Sequence, residues 1–272
     1  AELLARKYNV PSVYNDVQQL LKTEKLDFVD IITDVDTHAP LTEAAARKGI
    51  AVICQKPMAP TLSAARQMVE ICRSQQVPFF IHENFRWQSP VRKLKSLLNS
   101  GVIGRVFKAR VTFCSAFPVF ENQPFLAELE EFILTDIGSH TLDICRFLFG
   151  EVDTLLCHTY SINPKIKGED VANVMMKMHS GMTCYAEMSY ASILPYESFP
   201  QTFVLVEGEH GSIELTKDYN LLLTTRKGTE LLTAEPATYP WADPEYSLIH
   251  SSIVDCNRDI LNALQGNAKA ET

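Results

Sequence analysis

Three short apolar segments, separated by amphipathic helical patterns, most constrain the fold of this 272-residue chain. They cover residues 28–32, 50–53 and 78–81. Near-continuous apolar runs of this length are typical of strands that are buried on both faces of a sheet. Strands that alternate with helices form right-handed crossovers, which make the strands parallel. The first third of the chain is therefore predicted to be an α/β unit with a parallel sheet.

Polar residues follow each of the three predicted strands, at 33–38, 55–56 and 82–87. Ligands of open α/β sheets bind at the carboxyl ends of the strands, so a site is expected there. Lys56 is the candidate proton-handling residue, because partial burial at a strand end disfavours the charged form of a lysine. Pro57 favours an extended backbone at Lys56, which would aim the amine. The alternative is an ordinary solvated lysine in a strand-to-helix loop.

The period of the hydrophobic pattern changes from about residue 106. Apolar side chains then alternate with polar ones, as expected for strands with one buried face. Strand-like runs follow at 152–161, 171–178, 182–190, 202–207, 212–216 and 220–225, and a last helix is predicted at 246–264. Runs this close together indicate mainly antiparallel connections. The predicted domains are residues 1–88 and 89–272.

A second polar constellation lies between these strands, at Asp136, His140 and Asp143. In a helix these positions are i, i+4 and i+7 and share one face. A carboxylate beside an imidazole can fix its tautomer, which suits acid–base chemistry. The alternatives are a solvated polar face and a metal site. The metal interpretation is weak, because two carboxylates and one histidine stand without other ligand motifs, and no metal is predicted.

Composition excludes several classes of function. The chain has 25 Lys and Arg against 33 Asp and Glu, and its net charge of −8 argues against nucleic-acid or polybasic membrane binding. Its seven cysteines are scattered without a C-x-x-C motif, which indicates neither a disulfide framework nor a zinc knuckle. The predicted location is the reducing cytoplasm.

Four motifs, in this order and at these separations, resemble the Gfo/Idh/MocA family, named for glucose-fructose oxidoreductase and inositol dehydrogenase. They are Asp36-Thr37-His38, Cys54-Gln55-Lys56-Pro57, Glu83-Asn84-Phe85-Arg86-Trp87 and Asp136-x-Gly138-x-His140-x-x-Asp143. Members of the family are NAD(P)-dependent oxidoreductases, mostly of sugars and polyols. The resemblance implies that residues 1–88 are a partial Rossmann dinucleotide-binding domain and that residues 89–272 are a C-terminal α+β substrate and oligomerisation domain.

The resemblance also implies roles for individual residues. The expected reaction transfers hydride between the nicotinamide of NAD or NADP and a hydroxyl-bearing carbon of a sugar or polyol, as in aldose dehydrogenases. The expected catalytic residues are Lys56, Asp136 and His140, with Asp136 orienting the imidazole. The expected cofactor-binding residues are Thr33, Asp34, His38, Gln55 and Asn84. The expected substrate-binding residues are Arg86 and Asp143.

Two departures from the family pattern change these expectations. Gln55 stands where the family usually has glutamate, which removes a negative charge next to Lys56. No G-x-G-x-x-G motif occurs among the eleven glycines, although the pyrophosphate of a dinucleotide normally rests on the helix behind such a loop. We therefore expect an N-terminally truncated dehydrogenase of α/β class. Its partial Rossmann-type parallel sheet would lack its first strands and be followed by an α+β domain with a large open, mainly antiparallel sheet.

A second function from a different class stays open. The chain could be a non-catalytic fragment, or an assembly or binding subunit of the same fold. In either case the open C-terminal sheet is expected to form a homo-oligomer, and neither nucleic acid nor membrane is expected as a partner.

Overall fold

The computed structural model describes residues 1–197 and 199–271. These residues form two compact units, of which the first contains residues 1–82 and 260–271 and the second contains residues 83–197 and 199–259. The change of unit falls before the predicted boundary at residue 88. It does so because Glu83 and Phe85 contact His140, and Asn84 contacts Ser252, all within the second unit.

The first unit is an α/β layer around a short parallel sheet. Its helices are α1 (Glu2–Tyr8), α2 (Val17–Thr23), α3 (His38–Ala46) and α4 (Leu62–Ser74), and its strands are β1 (Phe28–Ile31), β2 (Ala51–Gln55) and β3 (Phe79–His82). The described strands lie in the order β1-β2-β3, and both pairs are parallel. Ile31 pairs with Cys54 and Gln55 pairs with His82, so the carboxyl ends of the strands are neighbours at one edge.

Burial explains why this unit folds as the sequence predicts. Strand β2 is central, and its residues 51–54 are buried, as expected for a parallel strand that is covered on both faces. Thr61 caps helix α4, and its hydroxyl accepts a hydrogen bond from the amide of Ala64 at 3.2 Å. Met68 and Cys72, four residues apart on this helix, are both buried.

The second unit is an α+β layer with a large sheet. Its helices are α5 (Ser89–Asn99), α6 (Val119–Asn122), α7 (Ser139–Phe149) and α8 (Ser247–Leu264), the last of which ends in the residues that group with the first unit. Its strands are β4 (Val106–Cys114), β5 (Val152–Tyr160), β6 (Val171–Met178), β7 (Thr183–Ser189), β8 (Phe203–Gly208), β9 (Gly211–Leu215), β10 (Asn220–Thr225) and β11 (Gly228–Thr233).

The described strands of this sheet lie in the order β11-β10-β9-β8-β4-β7-β6-β5. Strands β4 and β7 pair in parallel, and the other neighbours are antiparallel. Alternate residues of β6, from Ala172 to Met178, are buried while Asn173, Met175 and Lys177 between them are exposed. One face of the sheet therefore lies on the core and the other faces solvent. The predicted fold class is confirmed.

Burial explains two further features of the second unit. Helix α7 buries Ile144, Cys145 and Leu148 in the core, so its opposite side remains for polar groups. Strand β11 was not predicted, because nearly all its side chains are exposed and it lacks the alternation that marks a half-buried strand.

Within the described part of the chain, we find no helix that combines the length and the apolar character needed to cross a lipid bilayer.

Candidate active site

The ten predicted site residues fall into two groups. Thr33, Asp34, His38, Gln55 and Lys56 belong to the first unit. Asn84, Arg86, Asp136, His140 and Asp143 belong to the second unit. Each group is described within its own unit.

The first group lies at the carboxyl ends of β1 and β2. Thr33 and Asp34 follow β1 and are exposed, while Gln55 ends β2 and Lys56 follows it, both partly exposed. The peptide bond between Lys56 and Pro57 is cis. The structure thus brings these polar groups to the edge of the sheet at which α/β proteins bind ligands.

His38 contacts both the loop after β1 and the loop after β2. It begins helix α3 and its side chain is buried. Its Nδ1 lies 3.1 Å from the carbonyl oxygen of Pro57, and its Nε2 lies 3.0 Å from the carbonyl oxygen of Thr33. His38 therefore holds the loop after β1 against the loop that carries Lys56.

The second group is built around His140 on helix α7. Its Nδ1 lies 2.6 Å from Oε1 of Glu83, and both side chains are almost completely buried. The imidazole also stacks on the ring of Phe85, with 3.8 Å between ring centroids and an angle of 8° between the planes. Asp136 was expected to orient this imidazole, whereas the residue that lies at Nδ1 is Glu83.

Asp136 lies one turn before His140, in a π-helical turn at Leu134–Gly138 that leads into α7. Such turns are rare in proteins, and those that do occur are often found at functional sites. The hydroxyl of Tyr190 donates a hydrogen bond to Oδ2 of Asp136 at 3.3 Å. Burial raises the pKa of Tyr190 far above its ordinary value, and the carboxylate of Asp136 adds to this. The phenol therefore keeps its proton for this hydrogen bond.

Arg86 and Asp143 form an ion pair with two hydrogen bonds. Nε of Arg86 donates to Oδ2 of Asp143 at 2.7 Å, and a terminal nitrogen donates to Oδ1. Both side chains are 15% exposed. Burial raises the pKa of Asp143, and the hydrogen bond and charge of Arg86 oppose this rise. The two predicted substrate-binding residues thus bind each other, and only a small part of each side chain is exposed to solvent.

Asn84, predicted to bind cofactor, is buried and donates a hydrogen bond from Nδ2 to the hydroxyl of Ser252 on α8 at 2.7 Å. Its side chain therefore anchors the segment after β3 to α8. Residues 1–197 and 199–271 contain no cluster of three or more His, Cys, Asp or Glu side chains that could hold a metal ion.

Two residues that contact this group, Glu83 and Tyr190, had no predicted role. Glu83 could have been found, because it is a carboxylate directly after a buried strand and beside the assigned Asn84. Tyr190 gave no comparable indication, because it lies 54 residues from Asp136 and ends an ordinary alternating strand pattern.

Comparison with known proteins identifies both parts of the chain. Residues 1–83 match the oxidoreductase family with an NAD-binding Rossmann fold, and residues 91–214 match the GFO/IDH/MocA C-terminal domain. D-apiose dehydrogenase from Paraburkholderia graminis is 43% identical over 97% of this chain and 71% of its own length. D-apiose dehydrogenase from Rhizobium rhizogenes is 40% identical over 100% of this chain and 79% of its own length.

A solved structure agrees with these matches. The crystal structure of an oxidoreductase from Agrobacterium radiobacter, in complex with NAD⁺, L-tartaric acid and magnesium, superposes with a TM-score of 0.97 at 40% identity. It covers 100% of this chain and 79% of the other. With two domain models and close relatives in agreement, the chain belongs to the Gfo/Idh/MocA family of oxidoreductases, as its motifs predicted.

Proposed function

We propose that this protein oxidises a sugar with NAD and that D-apiose is its first candidate substrate. The observation that carries the proposal is the 43% and 40% identity to two D-apiose dehydrogenases over almost the whole chain. Oxidation of a carbinol removes a proton from the hydroxyl group and a hydride from its carbon. NAD, when bound, supplies the hydride acceptor.

The polar residues at the carboxyl edge of the parallel sheet suit the ribose and nicotinamide parts of NAD. Thr33, Asp34 and Gln55 offer polar groups at the carboxyl edge of the parallel sheet, and His38 fixes the loops that carry them. These groups suit the hydroxyl groups of a ribose and the amide of a nicotinamide. We assign Asn84 a supporting part, since its amide is engaged with Ser252. No residue is assigned to the pyrophosphate, since the chain lacks a G-x-G-x-x-G loop.

Lys56 and His140 are the proposed proton-handling residues. The amine of Lys56, at the end of β2, suits a hydrogen bond to the reacting hydroxyl group. With Nδ1 of His140 facing Glu83, Nε2 is the nitrogen that can take a proton. Asp136 is the proposed third member, and its carboxylate would stabilise positive charge on the imidazole. Arg86 and Asp143 are proposed to bind sugar hydroxyl groups through the edges that their ion pair leaves accessible.

The test is NADH formation by the purified protein with D-apiose, levoglucosan and myo-inositol, each with NAD or NADP. We expect D-apiose with NAD to give the highest kcat/KM. Lys56→Met should lower kcat about 10²- to 10⁴-fold, as expected for loss of a general acid or base, while NAD binding measured by fluorescence changes little. The matched control is Lys48→Met, since Lys48 is exposed on the same unit. Equal turnover by Lys56→Met and the wild type would refute the role of Lys56.

A homo-oligomer is a further proposal, which the open face of the large sheet supports. Leu156, Met175 and Tyr185 pair across β5, β6 and β7 and form an exposed apolar row. Rows of this kind are common in interfaces. Met175→Glu should lower the mass measured by light scattering, whereas Leu62→Glu on the first unit should not. A monomeric wild type at all concentrations would refute this proposal.

We also propose a cytoplasmic location. The support is the set of seven cysteines, all of which are free thiols in the structure. A fluorescent fusion that collected outside the cytoplasm would contradict it.

A further inference from the structure

One ring nitrogen of His140 has a committed partner. Nδ1 lies 2.6 Å from Oε1 of Glu83, a distance typical of a short, charge-assisted hydrogen bond. An ionised carboxylate has no proton to donate, so Nδ1 carries the hydrogen of this bond. In the neutral imidazole the other nitrogen, Nε2, is then the one without a proton.

The same oxygen of Glu83 has a second donor. The backbone amide of Phe85 donates to Oε1 at 3.0 Å, and the ring of Phe85 is the surface on which the imidazole lies. A single carboxylate oxygen therefore fixes both the proton on the imidazole and the plane of its ring. This arrangement holds His140 from two directions, edge and face.

The surroundings favour an ionised Glu83. The side chain of Glu83 is 9% exposed and that of His140 is 5% exposed. A buried carboxylate without partners is costly, whereas two donors on one oxygen offset much of that cost.

We propose that Glu83 is a positioning residue that sets the tautomer of His140 and leaves Nε2 as the proton acceptor. It contacts neither substrate nor cofactor in this role and acts through the imidazole. The effect on turnover rests on the proposed function, whereas the tautomer does not. The two parts can therefore fail separately.

The tautomer is measured by ¹⁵N NMR of the histidine side chains in the protein without NAD or sugar, with His140→Gln used to assign the resonances. In the wild type we expect a protonated Nδ1 and an unprotonated Nε2 at a pH where the ring is neutral. An Nε2–H tautomer in the wild type would overturn the proposal without any variant.

Two variants of Glu83 sharpen the test. Glu83→Leu removes the acceptor, so the Nε2–H form should become the major one. Glu83→Gln should retain the Nδ1–H form, because the amide of Phe85 requires an acceptor at the position of Oε1 and so directs the carbonyl oxygen of glutamine toward Nδ1. The matched control is Glu151→Leu, since Glu151 is exposed and pairs with Arg146 at the far end of α7. An unchanged tautomer in Glu83→Leu would overturn the proposal.

Turnover distinguishes positioning from simple packing. Glu83→Leu should lower kcat about 10²- to 10⁴-fold, as when a histidine base holds the wrong tautomer, with little change in the KM for NAD. Glu83→Gln should recover most of this loss. A shifted tautomer with wild-type kcat would overturn the positioning role. A wild type that oxidised no sugar would refute the proposed function, and the NMR result would still decide the tautomer.

Discussion

Breaking the ion pair between Arg86 and Asp143 should lower the free energy of unfolding by an amount that depends on how deeply the pair is buried. Arg86→Met keeps the length and apolar part of the side chain but removes its charge. Asp143 would then stay 15% exposed without the two hydrogen bonds that it now accepts. Removing one member of a buried pair costs about 3–5 kcal/mol, because the other charge is left buried.

Partial exposure places this pair near the lower end of that range. We expect Arg86→Met to lower the free energy of unfolding by about 3 kcal/mol and the Tm by about 6–12 °C for a unit of this size. The assay is urea and thermal unfolding followed by circular dichroism. The double variant Arg86→Met/Asp143→Leu should recover part of the loss, because no buried charge then remains.

The matched control is Arg105→Met. Arg105 forms a similar pair with Glu209, but its side chain is 79% exposed and that of Glu209 is 44% exposed. Exposed pairs contribute about 0–1 kcal/mol, so this variant should remain close to the wild type. If Arg86→Met cost no more than Arg105→Met, the claim that burial makes the first pair structurally important would be refuted.

Two further predictions concern buried hydroxyl and thiol groups. Tyr190→Phe removes the hydrogen bond to Asp136 and should destabilise the protein by about 1 kcal/mol, whereas Tyr160→Phe at an exposed site should have almost no effect; equal urea midpoints would contradict this. Cys54 is buried, and burial raises the pKa of its thiol to about 12. A thiol reagent at mildly alkaline pH should therefore modify the exposed Cys157 first. Mass spectrometry that showed Cys54 modified first would contradict the fold.

Much of the fold was predictable because burial leaves a periodic pattern in the sequence. The apolar run of β2 is buried at residues 51–54, and the alternation of β6 matches its buried and exposed faces. Strand β11 escaped prediction because it is exposed along most of its length and takes its structure from pairing with β10. Pairing with a neighbour leaves no local pattern when neither face is buried.

The candidate site was predictable to a lesser degree. Local spacing predicted that His140 and Asp143 share a side of α7, and the structure places their partners Glu83 and Arg86 three residues apart in one segment. The identity of the partner at Nδ1 could not be read from spacing. Asp136 is four residues from His140, yet Glu83, which is 57 residues away, occupies that position.

The proposed hydride transfer can be tested by following the hydrogen on the reacting carbon. The purified protein is incubated with NAD and perdeuterated D-apiose, and the nicotinamide product is analysed by mass spectrometry and NMR. Direct hydride transfer predicts that one deuterium from the sugar appears at C4 of the nicotinamide ring. Loss of that deuterium to water, with none in the reduced cofactor, would contradict the proposed reaction.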